Sequence, residues 1–355
     1  VGLLDAFVLG KSSVGGLVGY NAGGNIYMSY VGGSVGGSGH FATANRVGGL
    51  VGTNAGNIEA SYSFADVGGD TNVGGLVGFN GSNEPTGYNG FDTVTEGSIS
   101  DSYATGNVTG QTSVGGLVGA SDAYFTVESV STIQYAYATG NVSGSTNVGG
   151  LVGYNRDTNL LEGYATGSVS GTTSVGGLAG VNEESKPGPD GISSSYWNTE
   201  TTGQAAAVGL ENGQTQFSFG RTTAAMTQMS SFVALNSITN VGGDNSYRWP
   251  IYEGQTTPWL TAFLYPTTVT ANSDTKTYSG TTYSGNNGAT QSLASPSPAY
   301  SGTLAYAGTA SGAINVGTYT IIPSGLYSVQ QGYNIKLLSG TLTINNGRGY
   351  TGAMT

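Results

Sequence analysis

One hexapeptide recurs through the first half of the chain and limits what it can fold into. VGGLVG begins at Val14, Val47, Val73, Val114 and Val148, and the variant VGGLAG begins at Val175. A second motif precedes most copies: SYATGNVTG from Ser102, AYATGNVSG from Ala136 and GYATGSVSG from Gly163. Looser versions start at Ser29 and Ser61, and SYWNTETTG from Ser195 ends the series. From Tyr62, Tyr103, Tyr137 and Tyr164 to the next VGG valine is always 11 residues; from Tyr30 it is 17, a six-residue insertion before Val47. The return half varies from 15 to 30 residues, so length changes collect after the VGGLVG segment, at one corner. The shortest period is 27 residues, too few to bury an apolar face alone, whereas stacked units bury a continuous one.

The residues inside each unit suit strands and turns. Val, Thr and Tyr favour strands; Gly, Asn and Ser favour turns; charged residues make up only 8%. The expected fold is all-β: a parallel β-helix (β-solenoid) over residues 1–198, followed by a small antiparallel β-sandwich. Six rungs would rise roughly 29 Å. Val35, Val67, Val108, Val142 and Val169 each follow the unit tyrosine by five residues and are expected to form an internal aliphatic ladder. Tyr30, Tyr62, Tyr103, Tyr137, Tyr164 and Tyr196 should form a column of rings. Seven residues after each VGG valine stand Asn21, Asn54, Asn80, Asn155 and Asn182, with Ser121 in the fourth unit. Stacked amides bond one another along a column, so this reads as a structural ladder. VGGLVG itself leaves two readings open. Either both of its faces are covered, or its glycines admit a neighbouring backbone.

After Ser195 the rhythm breaks. Residues 199–265 read as a capping and connecting segment, with a short helix in TTAAMTQMSSF and with Trp249, Trp259 and Phe263 as plugs for the solenoid's apolar end. Residues 266–345 carry strand-like runs between Gly, Ser, Asn and Pro turns and read as the β-sandwich, with Tyr278, Tyr300, Tyr306, Tyr319 and Tyr327 supplying much of its core. Residues 346–355 read as a tail or linker. The chain opens at Val1 and is read as a mature or excised piece of something longer.

Several function classes fit poorly. A net charge of −11 opposes binding to nucleic acid, and no apolar run reaches the length of a membrane helix. There is no cysteine, as suits a protein exported unfolded across a bacterial envelope. His40 is the only histidine and has no nucleophile motif beside it, so neither a histidine-based triad nor a zinc site is expected. The acidic residues Asp66, Asp70, Asp92, Asp101, Asp157, Glu183, Glu184 and Asp190 are scattered rather than clustered, against a glycosidase or lyase site. Glu183, Glu184 and Asp190 share a loop but lack a calcium-loop spacing. No catalytic residue, metal or cofactor is expected. The binding candidates are the loop aromatics Tyr88, Phe91, Tyr124 and Phe125, which offer flat faces to a sugar or a protein.

The repeated VGGLVGYN with SYATGNVSG resembles the GLUG motif of large bacterial surface proteins, among them filamentous-haemagglutinin-like adhesins. SYWNTETTGQ followed by TTAAMTQM resembles the segment that ends such arrays. VTANSDTKTYSG, GTYTIIPSG and SGTLTIN resemble the MBG/YDG-type modules of the same adhesins, with Tyr278-Ser279-Gly280 where the YDG triplet usually stands. The resemblance implies an extracellular, cell-surface polypeptide with a β-solenoid shaft and carries over no catalytic residue. The expected function is attachment or shaft-building, with a host or neighbouring-cell glycan or protein as partner. The alternative is a subunit of an extracellular filament that self-associates end to end; a carbohydrate-active β-helix enzyme is the third class.

Overall fold

The computed structural model describes residues 1–36, 43–81, 96–123, 131–184, 191–241, 246–293 and 299–347. The chain forms two compact units, Val1–Asn236 and Ser237–Thr355. The first is a parallel β-solenoid whose rungs run through three sheets. Among the described residues, the valine sheet stacks six strands, from Ser12–Gly15 to Thr173–Gly176. The asparagine sheet stacks seven, from Val18–Asn21 to Val208–Asn212. The tyrosine sheet holds the remaining strands of each rung, including Tyr30–Gly36, Ser98–Ala104 and Ser131–Ala138.

Pairing among the described residues of this unit is parallel, and in register apart from one shift between Leu3 and Ala6. Val14, Val47, Val73, Val114, Val148 and Val175 align in one row. Val8, Val35, Val67, Val108, Val142 and Val169 align in another. A third row runs Ile26, Ile58, Ile99, Ile133, Leu160, Ile192. Almost all of these side chains are buried in one cluster, each contributing about 1.5–3 kcal/mol.

The VGGLVG ambiguity resolves in favour of close backbone approach. A Cβ on Gly48 would stand 2.0 Å from the Val51 carbonyl and 2.6 Å from the Gly78 amide. The valine and asparagine sheets therefore meet backbone to backbone, with Leu50 and its equivalents turned into the core. The rungs also bend at left-handed residues that are not glycine. Ser13, Arg46, Asn72, Ser113, Asn147 and Ser174 precede each VGG valine with φ of 48–57°. Met28, Ala60, Asp101, Tyr135, Glu162 and Ser194 stand two residues before each tyrosine with φ of 46–52°. Each unit thus spends backbone strain at two fixed corners, offset by the ladders on either side.

The solenoid continues past residue 198. Val208–Asn212 pairs with Ala179–Glu183, Thr215–Gln216 with Ile192–Ser193, and Phe219–Arg221 with Tyr196–Asn198. Only VG at Val208 survives of the motif, which hides this rung in the sequence. The closing residues also differ from those expected. Trp197 packs into the core and its Nε1 donates to the Gln204 carbonyl, while Gln204 Nε2 donates to the Val169 carbonyl, covering the end of the valine row. Met226 and Phe232 are buried here, and TTAAMTQMSSF forms two 3-10 turns, Ala225–Thr227 and Met229–Ser231, rather than a longer helix. Among the described residues the one α-helix is Thr199–Thr202, capped by the Asn198 side chain.

Trp249, Trp259 and Phe263, expected as plugs for the solenoid, belong to the second unit. Trp259 Nε1 donates to the Ser328 carbonyl, Leu260 exchanges hydrogen bonds with the Gln330 side chain, and Tyr252 Oη donates to the Tyr333 carbonyl. These contacts tie the expected connector to strands much later in the chain. The unit has a three-stranded sheet centred on Tyr265–Ala271 and a four-stranded sheet in the order Asp274–Thr277, Gly340–Asn345, Gly317–Tyr327, Ser301–Ala307. The expected antiparallel pairing is present, alongside three parallel pairs: Ile238–Asn240 with Trp249–Ile251, Tyr265–Ala271 with Tyr333–Leu338, and Asp274–Thr277 with Gly340–Asn345. Its buried tyrosines are Tyr252, Tyr283 and Tyr333. Of the expected core tyrosines, Tyr278 is exposed, and Tyr300, Tyr306, Tyr319 and Tyr327 pack only at the margins.

Candidate functional site

The asparagine ladder forms as a chain of buried side-chain hydrogen bonds. Asn21 Nδ2 donates to Asn54 Oδ1 at 2.8 Å, Asn54 to Asn80 at 2.9 Å, and Asn155 to Asn182 at 2.8 Å. Glu211 takes the position in the last rung and accepts from Asn182 at 2.8 Å. Each amide also closes its own corner: Asn54 Nδ2 donates to the Gly56 carbonyl and Asn80 Nδ2 to the Gly97 carbonyl. The ladder breaks at Ser121, whose hydroxyl accepts from Asn80 and donates to Thr158 Oγ1 rather than to the next amide. Asn155 Oδ1 is left buried without a donor.

The tyrosines stack as expected in the middle of the column. Ring centroids lie 5.0 Å apart for Tyr30–Tyr62, 4.9 Å for Tyr62–Tyr103 and Tyr103–Tyr137, and 4.8 Å for Tyr137–Tyr164. Interplanar angles fall from 11° at the first pair to 1–2° at the others. Tyr196 follows in register. Its ring is tilted against Phe219 and Phe232, and its Oη accepts from the Ala234 amide at 2.7 Å. Burial, reinforced by the neighbouring phenols, pushes the Tyr137 hydroxyl well above its ordinary pKa. The column is thus a packed structural feature, with its ring faces occupied by one another.

Two carboxylates bond across rungs, Asp122 and, from the scattered set, Glu183. Asp122 and Arg156 form a two-pronged ion pair, with Nε to Oδ1 at 2.9 Å, and Tyr154 Oη donates to Glu183. Burial and the Glu183 hydrogen bond push Tyr154 up to about 12. Among the described residues no group of three or more His, Cys, Asp or Glu side chains converges as a metal site. Tyr88, Phe91, Tyr124 and Phe125, together with His40, Asp92 and Asp190, lie outside the described residues. The residues that flank the longer connections do align: Asn80, Ser121 and Asn182 share one register row at the end of the asparagine sheet.

One concave site was not anticipated. On the outer face of the tyrosine sheet, opposite the buried valines, lies a groove of about 350 Å³. Phe7 and Leu9 wall it on one side, and Asn107 and Thr109 on the other. Ser34 and Asp66 stand between, and Gly36 and Gly68 form the floor. The register explains the hollow. Gly36 and Gly68 occupy the row held in later rungs by Thr109, Ser143 and Ser170, so two rungs lack the side chain that fills this position further along. Asp66 Oδ1 accepts from the Asn107 amide at 2.9 Å and from its Nδ2 at 3.1 Å, which fixes both side chains. The sequence signal was the pair of degenerate repeats, SYVGGSVGG and SYSFADVGG, where glycine replaces a hydroxyl. Comparison with family models, with curated proteins and with solved structures finds no match for this chain.

Proposed function

We propose that this chain is an extracellular structural and adhesive segment of a bacterial surface protein, of the kind its GLUG-like motifs resemble, with no catalytic role. The observation that carries this reading is the use made of the polar side chains. The buried amides, the ion pair and the tyrosines are committed to contacts between rungs, which stiffens a shaft rather than assembling a reaction centre. Adhesive contact is assigned to the connections that leave the end of the asparagine sheet, where Tyr88, Phe91, Tyr124 and Phe125 are carried. The partner is a glycan or protein on a host or neighbouring cell.

The test exploits the repeat. Asn54-Ala55-Gly56 turns the corner in the second rung, and Asn80 makes the equivalent bond to the Gly97 carbonyl. Replacing residues 81–96 by one alanine copies that short corner into the third rung. The expected result is an unchanged melting temperature with reduced attachment of protein-coated beads to cells. Undiminished attachment would remove this connection from the adhesive surface.

A further inference from the structure

We infer that the groove between Phe7 and Asn107 is a binding site for a neutral oligosaccharide; this rests on the adhesive reading for its biological use but not for its chemistry. Three features select the ligand class. The first is the wall. Phe7 is 73% exposed, and the stretch that carries it, Ala6 to Leu9, pairs in step with Gly33 to Gly36, so a ring face is available beside a polar floor. A pyranose offers C–H groups to such a ring and hydroxyls to its surroundings.

The second feature is the set of polar groups. Asp66 accepts, and Ser34 and Thr109 supply hydroxyls, on a frame held rigid by the Asp66–Asn107 bonds. Among the described residues Asp66 is the only ionisable one lining the groove, and no cation lines it. Phosphates, nucleic acids and uronic acids would meet an unpaired like charge, whereas a neutral sugar would not.

The third feature is the floor. Ser34, Val35 and Gly36 are paired in register with Asp66, Val67 and Gly68, and Val67 and Gly68 with Val108 and Thr109. The floor strands therefore offer an extended peptide no free edge for β-augmentation. The span from the Phe7 row to the Asn107 row is three rungs, roughly 14 Å. That length and a volume within the usual range for ligand pockets suit a short stretch of polysaccharide laid along the stack.

The experiment uses the full chain and substitutions that the repeat itself validates. Gly68→Thr places in the second rung the residue that Thr109 already provides in the next and is expected to fill the groove, with an unchanged melting temperature as the check on folding. Phe7→Ala removes the exposed wall. Ser170→Thr makes a similar change three rungs away in the same row and serves as the control. Binding of β-1,4-linked tetrasaccharides of glucose, N-acetylglucosamine and mannose is measured by titration calorimetry. The expected result is millimolar or tighter binding of at least one probe, weakened about tenfold or more by Gly68→Thr and by Phe7→Ala and unchanged in Ser170→Thr. Absence of binding by all three probes, or equal binding by Gly68→Thr and the parent, overturns the site. Bead attachment is assayed in parallel. Attachment without oligosaccharide binding rejects the groove and spares the adhesive reading. Groove-dependent oligosaccharide binding without attachment supports the groove and rejects the adhesive reading.

Discussion

Ser121 is where the asparagine ladder is least satisfied. An amide at this position would accept from Asn80, as the hydroxyl does now, and would also donate to Asn155 Oδ1, which is buried without a donor. Ser121→Asn is therefore expected to raise stability by about 1 kcal/mol, the net worth of one buried hydrogen bond. Chemical denaturation of the variant against the parent measures this. A loss of stability would mean that the Thr158 hydroxyl, now bonded to Ser121, leaves no room for the longer side chain. The ladder itself was legible because asparagine recurs seven residues after five of the six VGG valines. The left-handed corners were not. Met28, Ala60 and Tyr135 have no preference for positive φ, and only the rungs above and below hold them there. Glu211 as the last member of the ladder was equally hidden, since it needs the pairing of Val208–Asn212 to be recognised.

At the scale of the element, the tyrosine column makes a prediction about pH. A phenol whose folded pKa is raised stays neutral in the native state while the unfolded chain ionises near pH 10. Its contribution is fully present below pH 10 and is lost as the pH climbs from there towards the folded value. The parent should therefore lose stability steeply above pH 10. Tyr137→Phe should lose about 1.4 kcal/mol less per pH unit in that range, because one suppressed ionisation is removed. Denaturation curves at pH 8, 10 and 11 provide the comparison, and identical alkaline losses in the two proteins would contradict the assignment to Tyr137. The column was readable from the fixed 11-residue spacing. The closing elements were not, because aromatic content alone does not say which apolar end a residue covers. Trp197 lies inside the last full motif and caps the valine row, while Trp259 is drawn to Ser328 by contacts more than sixty residues apart in the chain. The groove was missed for a related reason. It is made by absent side chains at Gly36 and Gly68, and only register shows that a hydroxyl row is interrupted there.

At the scale of the whole molecule, the first unit is a stack of equivalent rungs. Each contributes the same valines, the same amide or its substitute and the same tyrosine position, and each pairs with its neighbours in parallel register. Stability in such an array is close to a sum over rungs and interfaces, so an integral number of rungs can be removed without destroying the remainder. The most direct test is a pair of deletions. Removing residues 137–163, one 27-residue repeat from a tyrosine to the residue before the next, would bring Tyr103 beside Tyr164, Val108 beside Val169 and Val114 beside Val175. Removing only 137–149, about half a turn, would shift every later strand out of its sheet. Circular dichroism with thermal melting should show the full-repeat deletion folded, with β-structure like the parent's and a cooperative transition, and the half-repeat deletion disrupted. Loss of folding in both, or equal tolerance of both, would contradict a solenoid built from these repeats.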